Sequence, residues 1–421
     1  MDQEQLRKYL DARLPEYLSL LRQMVEINSF TDNAPGVNEV GTFTAEAFAG
    51  LGFSAERVPS TKPGFGDHLV LVRRGSGPQK IGLVSHLDTV FPPEEEIANN
   101  FRWRVEGDYI YGPGTVDIKG GTVMILMVLE ALKKFTPEIF EDCTWVILLN
   151  SSEERLSTDF GELCRARLAG AAACLVFEGG FYAHDATNFK LVVARKGMAH
   201  FRVRATGLGA HAGVSHPLGA NAIRELAGAV QAIEGFTDYS QSITFNVGFI
   251  RGGTVTNRVP HEAVAELEMR AFDEDVFRRG AARVLGLAGE GVVQNEGGFR
   301  CKLAVDQLNE TGPWPENPAT NALFEIWRAA GMQLGFGVIP EARGGLSDGN
   351  LTWAAVPTLD GLGPGGGGAH QSEHDPQGGK TQEYIFVPSI VPKAMLNVLA
   401  IARLLAEYDS QSNPAANISL R

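Results

Sequence analysis

Cysteine is scarce in this sequence, and what there is forms no pattern. Cys143, Cys164, Cys174 and Cys301 are spread through 421 positions with no Cys-x-x-Cys among them. That excludes a disulfide-built scaffold and a thiolate metal site, and predicts four reduced core thiols in a cytoplasmic protein. Basic runs are also missing. Lys and Arg number 37 against 50 Asp and Glu, a net charge of −13 that repels phosphate backbones, so no nucleic-acid partner is expected. No stretch reaches the roughly 18 consecutive apolar residues of a membrane span, and no basic and apolar leader opens the chain. Neither a membrane partner nor export is therefore expected. No Gly-x-Gly-x-x-Gly follows an early strand, which argues against a dehydrogenase.

What is present is ordinary globular composition, 44% hydrophobic and 21% charged, in a chain longer than one typical domain. Leu6, Tyr9, Leu10, Leu14, Tyr17, Leu18 and Leu21 are spaced for a helix over 4–26. Apolar runs at 69–73, 80–85, 143–150 and 172–177 read as strands, with helices at 119–134 and 162–169. This alternation predicts an α/β domain with a largely parallel sheet flanked by helices. Residues 190–206 then alternate with the two-residue period of a half-buried strand. A helix at 219–233, strands at 242–250 and 262–271, and a helix at 274–286 follow, the order of a split βαβ, α+β domain. After Gly312-Pro313-Trp314-Pro315 helix–strand alternation returns, closing on a helix at 387–407. The reading is one discontinuous domain, 1–189 and 307–421, with a smaller domain inserted at 190–306. The last dozen residues are polar and expected to fray.

Several polar residues interrupt this pattern at telling places. His86 and Asp88 end the run Val84-Ser85-His86-Leu87-Asp88, two apart and so on one side of a strand. Asp117 stands before a helix, bracketed by Gly112, Gly114, Gly120 and Gly121. Glu153 and Glu154 follow the strand ending near Leu149; Glu178 follows Val176-Phe177 and precedes Gly179-Gly180; His370 ends the glycine run 363–368. Singly, each has an ordinary reading: a hydrogen-bonded core histidine, an N-cap acid, a solvated acid pair. Jointly, all but Asp117 lie at or just beyond the carboxyl ends of predicted strands, where open α/β sheets build their sites. Two histidines, several carboxylates and no thiolate suit zinc in a catalytic site. His184, His200, His216 and His261 fit no ligand position, and His374 is the one rival to His370.

The His-x-Asp at 86–88, Asp-x-Lys-Gly-Gly at 117–121, Glu-Glu at 153–154, Phe-Glu-Gly-Gly at 177–180 and Gly-Ala-His at 368–370 resemble the zinc peptidases of the glutamate carboxypeptidase (carboxypeptidase G), aminoacylase and succinyl-diaminopimelate desuccinylase group. Gly207-Leu208-Gly209-Ala210-His211-Ala212-Gly213 resembles a segment of that family's inserted domain. The resemblance implies two zinc ions per chain, with Co²⁺ or Mn²⁺ as substitutes. Asp117 would bridge them, His86 and Glu178 completing one ion and Glu154 and His370 the other. It further implies Asp88 orienting His86, Glu153 as general base, and His211 as a donor to the reacting carbonyl oxygen. Arg270 would bind a substrate carboxylate, with Asn257, Arg343 and Lys190 as further substrate contacts. The implied substrate is a small peptide or an N-acyl amino acid, and the implied assembly a homodimer through the inserted domain. Arg155-Leu156 stands where relatives have Gly or Ser, so the local loop is expected to differ. An N-acyl amino acid deacylase would share every ligand; a non-catalytic binding protein would be expected to have lost one.

Overall fold

The computed structural model describes residues 1–182, 187–375 and 377–412. His184 and most of the last dozen residues lie outside them. The chain divides into two compact units: Met1–Val193 with Glu316–Glu341 and Ser347–Arg421, and Ala194–Pro315 with Ala342–Leu346.

The first unit is built on a six-stranded sheet ordered Ser54–Pro59, Asp67–Arg73, Thr144–Asn150, Lys80–His86, Ala173–Val176, Thr358–Leu359. The last three pairings are parallel and the first two antiparallel. The parallel strands are unbroken apolar runs because helices cover both faces. The edge strand Ser54–Pro59 is largely exposed and ends on proline, which suits an edge and explains why no apolar run announces it. The helix Gly120–Phe135 is buried around nearly its whole circumference by residues such as Val123, Ile125, Met127 and Leu129. Gly121 permits its close start: a Cβ there would lie 2.0 Å from the Phe177 carbonyl oxygen. The helices Gln3–Val25, Pro318–Leu334 and Ile390–Ser412 contribute to the same core. A window at Val387–Glu407 is long and apolar enough to cross a membrane by length and composition, but 78% of it is buried inside the fold. It reads as a core helix.

The second unit is a five-stranded antiparallel sheet ordered Thr244–Gly252, Glu262–Ala271, Gly197–Thr206, Arg300–Thr311, Gly289–Gln294. Its inward residues alternate strictly: Phe201 and Val203 face Leu267 and Ala265 in register, while Arg202 and Arg204 point out to Glu266 and Asp306. The helix Ala222–Glu234 buries Ala222, Leu226, Ala229 and Ile233, and the helix Glu274–Leu285 buries Phe277, Ala281 and Val284, at helical spacing. Asn221 and Asp273 cap them, accepting from the amides of Arg224 and Val276.

One sequence expectation needs correcting here. The run 190–206 is two strands. Asn188–Arg195 belongs to a three-stranded sheet with Phe181–Tyr182 and Gly337–Arg343, and only Gly197–Thr206 enters the second unit's sheet. Both halves alternate, so periodicity alone could not separate them. The second unit keeps the split βαβ arrangement, with Arg300–Thr311 pairing along Gly197–Thr206, adds the edge strand Gly289–Gln294, and runs on to Pro315.

Candidate metal centre

The strand Lys80–His86 delivers His86, its side chain fully buried, to the carboxyl edge of the sheet. Its Nδ1 lies 3.0 Å from the Asp88 carbonyl oxygen and 3.4 Å from Asp88 Oδ1. Two acceptors on that side assign the ring proton to Nδ1 and leave Nε2 as the ligand atom. Nε2 sits 3.0 Å from Asp117 Oδ1 and 3.7 Å from Glu178 Oε1.

Asp117 lies in the turn Thr115–Lys119 with non-helical φ −124° and ψ 84°, and its peptide bond to Ile118 is cis. Its carboxylate faces the two histidines, which decides against the N-cap reading. Asp117 Oδ2 is 3.4 Å from His370 Nε2, and that nitrogen is 3.1 Å from Glu154 Oε2. One carboxylate thus meets both imidazoles through different oxygens. Two candidate groups result, His86 with Asp117 and Glu178, and Asp117 with Glu154 and His370, each with ligand atoms within 4.8 Å of one another. Glu153 meets the same limit with His86 and Glu154, one residue from each group. His374 is exposed and belongs to no such group among the described residues.

Asp88 does more than face His86. Fully buried, it accepts from the Glu153 amide at 3.1 Å through Oδ1, and from the Glu154 amide at 3.3 Å and Thr31 Oγ1 at 2.7 Å through Oδ2. It therefore holds the loop that carries both glutamates. That loop passes through Leu156 at φ 59°, an uncommon conformation for leucine, and Lys62 Nζ donates to the Arg155 and Leu156 carbonyls.

The electrostatics suit a cation. Burial opposes charge on Asp117, yet hydrogen bonds from His370 and His86 overcome it and hold its pKa below the usual carboxylate range. The Asp117 and Glu154 carboxylates push His370 up to about 11. Burial lifts Glu153 well above its ordinary value against the opposing pull of His86, and the neighbouring Glu154 and Asp348 charges add to it. Glu154 Oε1 is buried with no hydrogen-bond partner. An orphaned carboxylate oxygen among like charges is costly unless a cation meets it. Imidazole and carboxylate donors without thiolate fit divalent zinc or a metal of similar preference.

The remaining predicted residues are placed as follows. Lys190 Nζ lies 3.5 Å from Glu341 Oε1. The Arg343 carbonyl accepts from the Lys196 amide. Arg270 has its fork engaged, with Nε and Nη2 on the two oxygens of Glu268 at 3.0 and 3.1 Å and Nη1 on the Gly344 carbonyl. In the second unit, His211 and Asn257 line a cavity of about 360 Å³ with Gly209, Ala210, Val255 and Arg258. His211 Nδ1 accepts from the amides of Gly213 and Val214, both at 3.1 Å. Its neutral ring therefore carries the proton on Nε2, as an outward donor.

Sequence reasoning missed the residues behind the ligands. His68 Nδ1 accepts from the Ser151 amide, Asn150 Nδ2 donates to Asp348 Oδ1 at 2.8 Å, and Glu383 Oε1 accepts from the amides of Val116 and Asp117. Asn150 and Ser151 were visible as a polar break after an apolar strand. Nothing local marks Glu383.

Residues 82–377 match the sequence pattern of peptidase family M20/M25/M40. The chain is 32% identical over 262 residues to carboxypeptidase G2 of Pseudomonas sp. strain RS-16, covering 62% of this chain and 61% of that protein. It is 27% identical over 280 residues to the succinyl-diaminopimelate desuccinylase of Sphingopyxis alaskensis, 63% of this chain and 70% of that one. Matches thus span about three fifths of carboxypeptidase G2's length. In fold, it is similar to the crystal structure of an aminopeptidase from Bacillus cereus, with TM-score 0.71 at 22% identity over 96% of this chain and 99% of that one. With 82–377 matched and this fold around the cluster, the chain belongs to peptidase family M20/M25/M40, a family of hydrolytic metalloenzymes.

Proposed function

We propose that this chain is a two-zinc hydrolase that cleaves an amide or peptide bond beside a free carboxylate, as a glutamate-carboxypeptidase-like exopeptidase. The observation that carries the reading is Asp117, shared between two ligand groups that together use His86, Glu178, Glu154 and His370. Two divalent cations, when bound there, would supply a Lewis acid that lowers the pKa of water and polarises the scissile carbonyl. Glu153, in reach of one residue from each group, takes the proton from the attacking water and returns it to the leaving nitrogen. The protonated Nε2 of His211 donates to the carbonyl oxygen as negative charge develops on it. Loss of the base or a ligand would have favoured a non-catalytic role, and all six are present. Deacylation of an N-acyl amino acid is the second reading, favoured by the desuccinylase likeness.

Elemental analysis after reconstitution with zinc should find about two ions per chain, from one shared and four terminal ligands. A folded protein that stays at zero with added zinc would sink the assignment. Cleavage rates on a panel of C-terminal glutamyl peptides and N-acyl amino acids would then separate the two substrate readings.

The proposed substrate anchor, Arg270, would exchange its Glu268 partner for the substrate carboxylate, which a guanidinium fork matches in geometry. Arg270→Ala should lower kcat/KM on free-carboxylate substrates by roughly tenfold or more, and spare amidated analogues. Equal losses on both, with a lowered melting temperature, would make the Arg270–Glu268 pair structural.

A homodimer is proposed through the second unit. The edge strand Thr244–Gly252 exposes Phe249 and Ile250, at 48% and 56%, and such an edge invites a second copy about a two-fold axis. A cytoplasmic setting is proposed with it, in keeping with four buried free cysteines.

A further inference from the structure

We infer that Arg258 is a specificity-determining residue that binds a second carboxylate of the substrate, which makes acylated dicarboxylic amino acids such as glutamate the preferred class. The inference rests on the proposed function, in which His211 donates to the scissile carbonyl oxygen and Arg270 holds the first carboxylate. In the second unit Ala212 N donates to the Asn257 carbonyl at 3.0 Å, and Val259 N to the Ala210 carbonyl at 2.9 Å. These two bonds flank the antiparallel bridge between His211 and Arg258. Such a non-hydrogen-bonded pair puts both side chains on one face, with Cβ atoms about 4.5–5.5 Å apart. Both residues line the cavity of about 360 Å³. Gly209 makes room for the guanidinium: a Cβ there would lie 3.0 Å from Arg258 Nε and 3.1 Å from Nη2.

The cavity is built for an anion. No acid lines it, although the chain as a whole carries a net charge of −13. Among the described residues the Arg258 guanidinium has neither an ion pair nor a hydrogen bond, whereas the fork of Arg270 is fully engaged. His211 adds an outward Nε2 donor, since its Nδ1 is taken by two amides. An unpaired guanidinium beside a neutral N–H donor matches a carboxylate. Arg258 and Arg270 do not crowd each other for the same group. Arg270 stands near one end of the 10-residue strand Glu262–Ala271, roughly 30 Å long, and Arg258 lies beyond the other end. One small substrate meets both only if they come from different copies, as the proposed dimer allows. Arg258 accompanies His211, its cross-strand neighbour, to whichever site His211 serves. A substrate whose carbonyl oxygen meets His211 therefore offers Arg258 a group only a few ångströms from the scissile bond, and Arg270 of the other copy the first carboxylate.

Two measurements on the zinc-loaded protein test this. The first compares kcat/KM on N-benzoyl-glutamate and N-benzoyl-glutamine, which differ in the second carboxylate alone. Wild type should favour the glutamate. Arg258→Met should cut that preference by roughly tenfold or more, chiefly through KM, as loss of a charge-assisted hydrogen bond does. Arg258→Lys, which keeps the charge without the fork, should retain part of it. Arg258 is exposed, so these variants are expected to fold. The second is calorimetric titration with glutarate, which has two carboxylates and no bond to cleave. Arg258→Met should weaken its binding by a similar factor. No preference in wild type, equal losses on both benzoyl substrates, or glutarate bound alike by wild type and Arg258→Met, or not at all, would overturn the role of Arg258. Glutarate binding that depends on Arg258, in a protein that hydrolyses neither benzoyl substrate, would uphold that role and strike the hydrolase reading instead.

Discussion

Glu153→Ala is expected to fold and load metal like the wild type while turnover falls roughly a hundredfold or more, as loss of a general base does. Glu154→Ala is expected to lose metal instead. The two residues are adjacent, their amides are held by the two oxygens of one aspartate, and both lie within ligand range of His86. What separates them is the other imidazole: Glu154 Oε2 is 3.1 Å from His370 Nε2 and belongs to a group with Asp117, whereas Glu153 is in no group with either. Glu154 also carries the orphaned buried oxygen Oε1, which a cation would satisfy. Metal content by elemental analysis, beside kcat and a thermal melt, reads the pair. Should Glu153→Ala be the variant that sheds metal, base and ligand are exchanged.

His211→Ala and Glu153→Ala should each be nearly inactive alone, yet recover activity when mixed under subunit exchange. Loss of one donor to a developing oxyanion costs about a hundredfold to a thousandfold. His211 is suited to that task because two backbone amides occupy Nδ1 and leave the proton on Nε2. The proposal is that it serves the metal cluster of a second copy. In a mixed dimer one site then has an intact base and an intact donor, and the other has neither. Equal mixing makes half the dimers mixed, so about a quarter of wild-type activity should return for a two-fold dimer. Donation within one chain would leave every site with a single defect and no recovery. Mixed variants that demonstrably exchange subunits and stay inactive, or a monomer by light scattering, would end the trans assignment without touching the ligand assignments.

Much of the site was legible before any fold was known. His86, Glu154 and Glu178 stand at or just beyond apolar strands, and a break in an apolar run is a local signal that needs no partner to be seen. The α/β alternation and the antiparallel insertion were legible for the same reason, since periods of 3.6 and 2 residues reflect which face a segment buries. Their limits were not. Asn188–Arg195 and Gly197–Thr206 share one alternating pattern, and only pairing with different strands assigns them to different sheets. The helix Ala34–Ala49 and the edge strand Ser54–Pro59 also escaped, the strand because an exposed edge carries too little apolar pattern to read.

By itself the sequence determined the donor types, their order and the strand ends that carry them, because each depends on side-chain chemistry and near neighbours. Tertiary structure decided how they act. It brought His370 to Asp117, 253 positions away, set opposite oxygens of Asp117 on two imidazoles, and gave Asp88 the amides of both glutamates. It also engaged Arg270 with Glu268 and recruited Glu383 to the Asp117 amide across 266 positions. A hydrogen bond is decided within about 3 Å in space and is indifferent to separation along the chain, so such partners leave no trace in local pattern.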